Sequence, residues 1–124
     1  MYSQRVHDVM ERKKLLIASP ETSVRDAAKL MAKAKVSAVL VLENERLVGI
    51  FTERDAVSRV IAKDRDVKTT RLADVMTASP KTIAPDKTFG YALLLMHVNG
   101  FRHVPVVDND RVVGIVSEIG RAHV

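Results

Sequence analysis

The chain has no cysteine among its 124 residues. That absence removes disulfides and thiol chemistry and makes the cytoplasm the expected compartment. Long hydrophobic runs are missing too. The longest, AVLVL at 38–42, has the length of a strand, far from the roughly 18 to 20 apolar residues of a membrane span. The N-terminal stretch MYSQRVHDVMERKK has no apolar core of the kind a secretory signal carries. No nucleophile elbow and no glycine-rich phosphate loop before a helix occurs, so no enzyme is expected. The histidines at 7, 97, 103 and 123 are scattered, with no pair at zinc spacing, so no metal site is expected. His97 lies among Leu95, Met96 and Val98 and reads as a helix-flank residue. Charge is not blocked into a tail. The 20 Lys and Arg against 15 Asp and Glu give a net +5 that is spread along the chain. A solvated surface accounts for it, and a nucleic-acid-binding role is the alternative that it leaves open.

What is present is a duplication. At 47% hydrophobic and 28% charged residues, the chain is a globular domain long enough for a real core. Shifted by 65 positions, residues 20–55 overlie 85–120 without a gap, with identities including Met31/Met96, Val41/Val106, Asn44/Asn109, Gly49/Gly114 and Glu53/Glu118. Upstream, DVM at 8–10 matches DVM at 74–76 at an offset of 66. Internal self-similarity at this period sets the architecture. The boundaries it predicts are 1–62 for the first repeat, 63–70 for a polar linker (KDRDVKTT) and 71–117 for the second repeat.

Each repeat predicts the same elements. A short turn of helix carries DVM, and a brief extended piece follows (LLIA at 15–18, KTIA at 81–84). A helix comes next. In the first repeat Thr22 or Ser23 can cap it, and Val24, Ala27, Ala28, Leu30, Met31 and Ala34 form its apolar stripe. In the second the stripe is Phe89, Ala92, Leu93 and Met96, and Asn99-Gly100 is the left-handed stop. Two apolar runs then form a hairpin around Glu43–Arg46, and again around Asp108–Arg111. In the first repeat a closing helix, about 53–63, is expected to place Val57, Val60 and Ile61 on one face. In the second it is essentially missing. A small sheet with helices on one face cannot bury that face alone, which argues for a pseudo-symmetric α+β pair packed sheet to sheet.

The stretch GIFTERD, 49–55, carries the most chemistry. Gly49 permits close approach to the strand. Thr52 ends it, and Asp55 follows by three residues in the first turn of the next helix, so hydroxyl and carboxylate share one strand-to-helix junction. Backbone N–H groups and the helix dipole there favour an anion, and a carboxylate beside a hydroxyl suits the diol and phosphate of a ribonucleotide. The plain alternative is that Thr52 and Asp55 cap the helix. In FRHVPVV, 101–107, Arg102 and His103 precede a strand and could balance phosphate charge. A solvent-exposed strand entry explains them equally well.

In DVM, ASPETSVRDAAKLMAKAKVSAVLVL, RLVGIFTERD, the second DVM and NGFRHVPVVDNDRVVGIVS, the chain resembles a tandem cystathionine-beta-synthase (CBS) domain pair, or Bateman module, over residues 6 to about 117. The resemblance is closest to small stand-alone bacterial pairs. It implies an α+β fold in which a pseudo-twofold pair of units, each a small β-sheet flanked by helices, leaves two clefts. It implies that these bind adenosine ligands of the AMP, ADP, ATP, NAD or S-adenosylmethionine class, and that two pairs associate as a homodimer signalling to a protein partner. By resemblance, Thr52 contacts phosphate or ribose, Asp55 the ribose hydroxyls, the backbone of Ile17 and Ala18 the adenine, and Arg102 and His103 the phosphate. In the sister cleft Ser37, Ala38 and Ser117 take the equivalent places. Because Ser37 and Ala38 bring no charge and Gly120 brings no carboxylate, that cleft is expected to be weak or empty. The remaining readings are a nucleic-acid-binding accessory protein and a ligand-free dimerisation module.

The ending EIGRAHV, 118–124, matches residue for residue the translation of a widely used short-read sequencing adapter. The expectation is that genuine coding sequence stops near Ser117. A chain without the second closing helix is then expected to be marginally stable.

Overall fold

The computed structural model describes residues 2–118. The fold is α+β, with small sheets flanked by helices. It divides into two compact units, residues 16–80 and residues 2–15 with 81–118. These units are not the sequence repeats. The DVM turn of each repeat packs in the unit built around the hairpin of the other.

In the 16–80 unit, β1 (Ile17–Ala18), β2 (Ala38–Glu43), β3 (Arg46–Thr52) and β4 (Thr77–Ala78) form a four-stranded sheet in that order. β1 runs parallel to β2, and the other pairs are antiparallel. Helix α2 (Val24–Ala34) starts where Ser23 accepts a hydrogen bond from the Asp26 N–H, which decides between the two candidate caps. After β3 the chain is helical through residue 63, as α3 (Glu53–Asp55), then a π-helical turn (Ala56–Val60), then a 3-10 turn (Ile61–Lys63). Helix α4 (Leu72–Val75) carries Asp74 and Val75 of the second DVM, and Met76 is its C-cap. Its Leu72 and Ala73 amides donate to the Thr22 and Pro20 carbonyls. The predicted linker is partly docked: Thr70 is buried, and its carbonyl accepts from the Val24 amide at the start of α2.

The other unit is built from α1 (Val6–Val9), α5 (Phe89–Asn99), β5 (His103–Asp108) and β6 (Arg111–Ser117). Single bridges replace its outer strands. Ile83 pairs parallel with Val106, as Ala18 does with Val41, and Glu11 pairs with Ile115, as Thr77 does with Ile50. Gly100 ends α5 at φ 74°, the predicted left-handed stop. Both hairpins turn through two left-handed residues, Asn44-Glu45 at φ 52° and 66° and Asn109-Asp110 at 50° and 65°, as a two-residue type I′ loop requires. Both also carry an irregularity one step from the loop, at Val41/Leu42 and Val106/Val107.

Each unit has its own core. Val24, Ala27, Met31, Val39, Val41, Phe51, Val60, Leu72 and Val75 fill one. Val6, Ile83, Phe89, Ala92, Met96, Val104, Val106 and Val116 fill the other. The predicted α5 stripe is confirmed, with Leu93 half-buried. Two expected stripes narrow. On α2, Ala28 and Leu30 are exposed. After β3, Val60 is fully buried but Val57 and Ile61 are 60% and 65% exposed. The π-helical turn explains the second correction, because a wider turn breaks the 3.6-residue spacing on which the shared face depended. The expectation about the chain's end concerns residues 118–124, of which all but Glu118 lie outside the described residues.

Candidate functional site

The end of β3 forms a polar knot. Thr52 is the N-cap of α3. The Asp55 Oδ2 accepts from the Thr52 amide at 2.9 Å and from the Thr52 hydroxyl at 3.1 Å. In return the Asp55 amide donates to Thr52 Oγ1 at 3.4 Å. This reciprocal capping box pins the first turn of helix to the strand. Asp55 is only 7% exposed, so its carboxylate sits in a partly desolvated place where hydrogen bonds count for more. The capping alternative raised by the spacing is therefore realised in this structure.

The knot limits what the two side chains can offer a ligand. A hydroxyl has one proton, and that of Thr52 is committed to Asp55; it can accept from a ligand, but must leave Asp55 in order to donate to a phosphate. The carboxylate still has acceptor capacity on Oδ1. That oxygen faces the guanidinium of Arg59, whose Nε is 3.5 Å away, one helical step along. The same guanidinium donates from its Nη1 to the carbonyls of Met76 at 2.9 Å and Val75 at 3.3 Å, at the C-terminal end of α4.

Gly49, expected to admit a close neighbour, does so. The neighbour is Met76: a Cβ on Gly49 would stand 2.3 Å from the Met76 sulfur. Gly114 has the same relation to Met10, at 2.6 Å. The methionine of each DVM thus fills the notch left by the glycine of each GI motif, and the close approach is used for packing.

The sequence candidates fall into two groups. Thr52, Asp55, Ile17, Ala18, Ser37 and Ala38 are in the 16–80 unit. Ala38 is the cross-strand partner of Thr52, and Ile17 and Ala18 pair two and three residues further along β2, with Leu40 and Val41. The Ser37 carbonyl accepts from the Glu53 amide. Arg102, His103 and Ser117 belong to the other unit, where His103 pairs with Ser117 across the hairpin. Gly120 lies outside the described residues. Arg59 and Met76 were missed by the sequence reading. The first was detectable as a base four residues after an acid in a helix, and the second as a methionine repeated with its glycine in both copies.

An open groove of ≈590 Å³ lies between α2 and the helical segment after β3, lined by Met31, Ala32, Val36, Phe51, Ala56 and Val57 among others. It touches Ser37 but not Thr52, Asp55, Ile17 or Ala18. Its walls are mainly apolar, whereas the junction gathers the polar side chains of Thr52, Asp55 and Arg59. Among the described residues no cluster of His, Asp or Glu could hold a metal ion, and no helix is long and apolar enough to cross a membrane.

CBS domains match residues 6–62 and 72–119 of this sequence. The chain belongs to the CBS domain family. It is similar to CBS domain-containing protein CBSX3, mitochondrial, of Arabidopsis thaliana, at 34% identity over 126 residues, covering 93% of this chain and 61% of the relative. The chain thus spans about three fifths of that curated relative, and only 19% of another, CBSCBSPB1. Among solved structures it is similar to CBSX2 in complex with AMP (27% identity, TM-score 0.81, 97% of this chain and 94% of that one). It is also similar to the CBS domain pair of protein MJ0100 in complex with 5-methylthioadenosine and S-adenosyl-L-methionine (25% identity, TM-score 0.86, the same coverage). The tandem pair expected from the duplication is therefore the family arrangement.

Proposed function

We propose that this CBS pair is a regulatory, non-catalytic module that binds an adenosine-containing ligand at the β3–α3 junction. The observation that carries the proposal is the Asp55 carboxylate, almost buried yet with acceptor capacity on Oδ1, just after β3, whose neighbour β2 pairs on its other edge with the Ile17–Ala18 strand. The AMP and S-adenosylmethionine complexes of the CBSX2 and MJ0100 pairs support the ligand class. In this reading Asp55 accepts from a ribose hydroxyl through Oδ1, and Thr52 accepts from or donates to the ribose or phosphate once its hydroxyl turns. Ile17 and Ala18 present backbone groups to adenine, and Ser37 and Ala38 mark a weaker second place. AMP, ADP, ATP, NAD and S-adenosylmethionine are the candidates, no cofactor being required. Ligand occupancy would shift the populations of two arrangements of the module, and a partner protein would read the shift. The cytoplasm is the proposed compartment. The repeat boundaries 1–62, 63–70 and 71–117 are proposed as the units of duplication.

A homodimer is proposed from a separate observation. Tyr91, Leu94 and Val98 are 48%, 57% and 71% exposed along one side of α5, a helix that is apolar nearly all round. Such a helix is ordinarily covered. The same observation favours the second reading, a ligand-free dimerisation module.

Calorimetry with the five ligands tests both. Binding of one of them, lost in Asp55→Ala and retained in Lys13→Ala, is the expected result. No binding by the wild-type protein, with a concentration-dependent dimer, leaves the dimerisation module. Binding of DNA or RNA that weakens steeply with salt, with no nucleotide response, would favour the nucleic-acid reading.

A further inference from the structure

Asp55 and Arg59 stand four residues apart, and the intervening π-helical turn brings the guanidinium over the carboxylate. π-helical turns inside helices recur at functional positions. Arg59 does not end at Asp55. Its Nη1 reaches the Val75 and Met76 carbonyls, two of the acceptors that a helix C-terminus leaves without intrahelical partners. Their partial negative charge attracts a cation. One rigid, planar donor group thus joins the candidate ligand-binding carboxylate to the end of α4. Immediately beyond lie β4 and Pro80, the last residue of this unit before the chain continues into the other.

We propose that Arg59 is a positioning residue for Asp55 and the coupling element between ligand binding and the α4–β4 segment; this rests on the adenosine-ligand reading of the junction. The physical basis is competition for one guanidinium. A ligand hydroxyl donating to Asp55 Oδ1 weakens that oxygen's hold on the Arg59 Nε. Arg59 then leans on the two carbonyls, and the last turn of α4 tightens. By reciprocity, loosening α4 must change the ligand affinity by the same factor. Lysine cannot replace this bridge, because a single ammonium lacks the fixed fork that reaches carboxylate and carbonyls together. Met76 gives the coupling a mechanical output. Its carbonyl is held by Arg59, its amide donates to the Leu72 carbonyl at 2.8 Å, and its side chain fills the notch over Gly49.

The test is site-resolved hydrogen exchange at the amides of Met76 and Ser79, which donate to the Leu72 and Val48 carbonyls, with and without AMP, alongside AMP calorimetry. In the wild-type protein AMP is expected to slow exchange at these amides. In Arg59→Met, ligand-free exchange is expected to rise about fivefold, AMP affinity to rise because no guanidinium competes for Asp55 Oδ1, and the AMP effect on exchange to vanish. Arg59→Lys should move the affinity back toward wild type but restore none of the AMP effect on exchange. Unchanged affinity together with an intact AMP effect in Arg59→Met overturns the proposal. Wild-type protein that binds none of the nucleotides defeats the ligand reading itself. In that case the bridge is judged on ligand-free exchange in Asp55→Asn, Arg59→Met and the double variant. Non-additive effects keep the Asp55–Arg59–α4 coupling, and additive effects reject it.

Discussion

In the 16–80 unit the core aromatic is Phe51, on β3, and the start of α2 contributes Val24. In the other unit the aromatic is Phe89, at the start of α5, and the equivalent strand position holds Val116. Each unit has one phenylalanine and one valine at these two repeat-related positions, with the places exchanged. A close-packed core requires a total volume more strictly than it requires a given residue at a given place. The duplicated halves therefore diverged as a compensated pair on each side. Their surfaces diverged differently. The exposed side of α2 carries Arg25, Asp26, Lys29 and Lys33, whereas that of α5 carries Tyr91, Leu94 and Val98.

The largest effects should come from those aromatics. Phe51→Ala and Phe89→Ala should each cost about 3–5 kcal/mol in urea unfolding. If the units are independent folding entities, each variant should lower only one of two transitions. A single transition lowered equally by both would show that the halves unfold together.

The glycine notches give the next contrast. The three atoms nearest an added Cβ at Gly49 all belong to the flexible Met76 side chain, whereas at Gly114 they include the Glu11 carbonyl oxygen at 2.9 Å. Gly114→Ala should therefore cost about 1–3 kcal/mol, and Gly49→Ala less. Adding Met76→Ala to Gly49→Ala should recover part of the loss, whereas Met10→Ala should not rescue Gly114→Ala. Equal costs at the two glycines would contradict the assignment of the second clash to backbone.

The hairpin turns differ in the second residue of the loop, Glu45 in one and Asp110 in the other, both with positive φ. Aspartate tolerates the left-handed region better than glutamate. Glu45→Gly should accordingly raise stability by about 0.5–1 kcal/mol, and Asp110→Gly by less, measured by thermal melting.

The smallest effect is with pH. Glu11 Oε2 accepts backbone amides of Lys13, Arg12 and Lys14, which hold its carboxyl below the ordinary value of 4.5, the Lys13 bond contributing most. The folded state thus favours the carboxylate. Its stabilisation is complete above 4.5 and is lost as pH falls through the lowered value. Thr77, the repeat-related residue at the strand bridge, does not titrate there. Glu11→Gln should remove well under about 1 kcal/mol at pH 7, since the group is mostly exposed. The gap from wild type should close on acidification below 4.5. In the other unit, Arg71 is bonded to Asp74 and Glu21. Asp74 is held below its usual carboxylate range chiefly by the Arg71 side chain. Arg5, its repeat counterpart, reaches the Asp86 carbonyl instead.

Much of the candidate site was legible as residues but not as bonds. Thr52 and Asp55 stood out by spacing, and the capping alternative named the contacts they make. The role of Arg59 was not legible, because its carbonyl partners, Val75 and Met76, are 16 and 17 residues away in sequence. The burial of Val60 without Val57 and Ile61 depends on a π-helical turn that a 3.6-residue pattern does not anticipate.

The sequence by itself determined the duplication, the helices with the Gly100 stop and a cap at Thr22 or Ser23, and the paired hairpins. These rest on periodicity and turn chemistry within a few residues. Only the tertiary structure decided that each DVM turn packs in the unit of the other repeat's hairpin, and that Met76 and Met10 occupy the notches at Gly49 and Gly114. Those choices depend on contacts between residues far apart along the chain. There, shape and available space select the partner among several of equal local propensity.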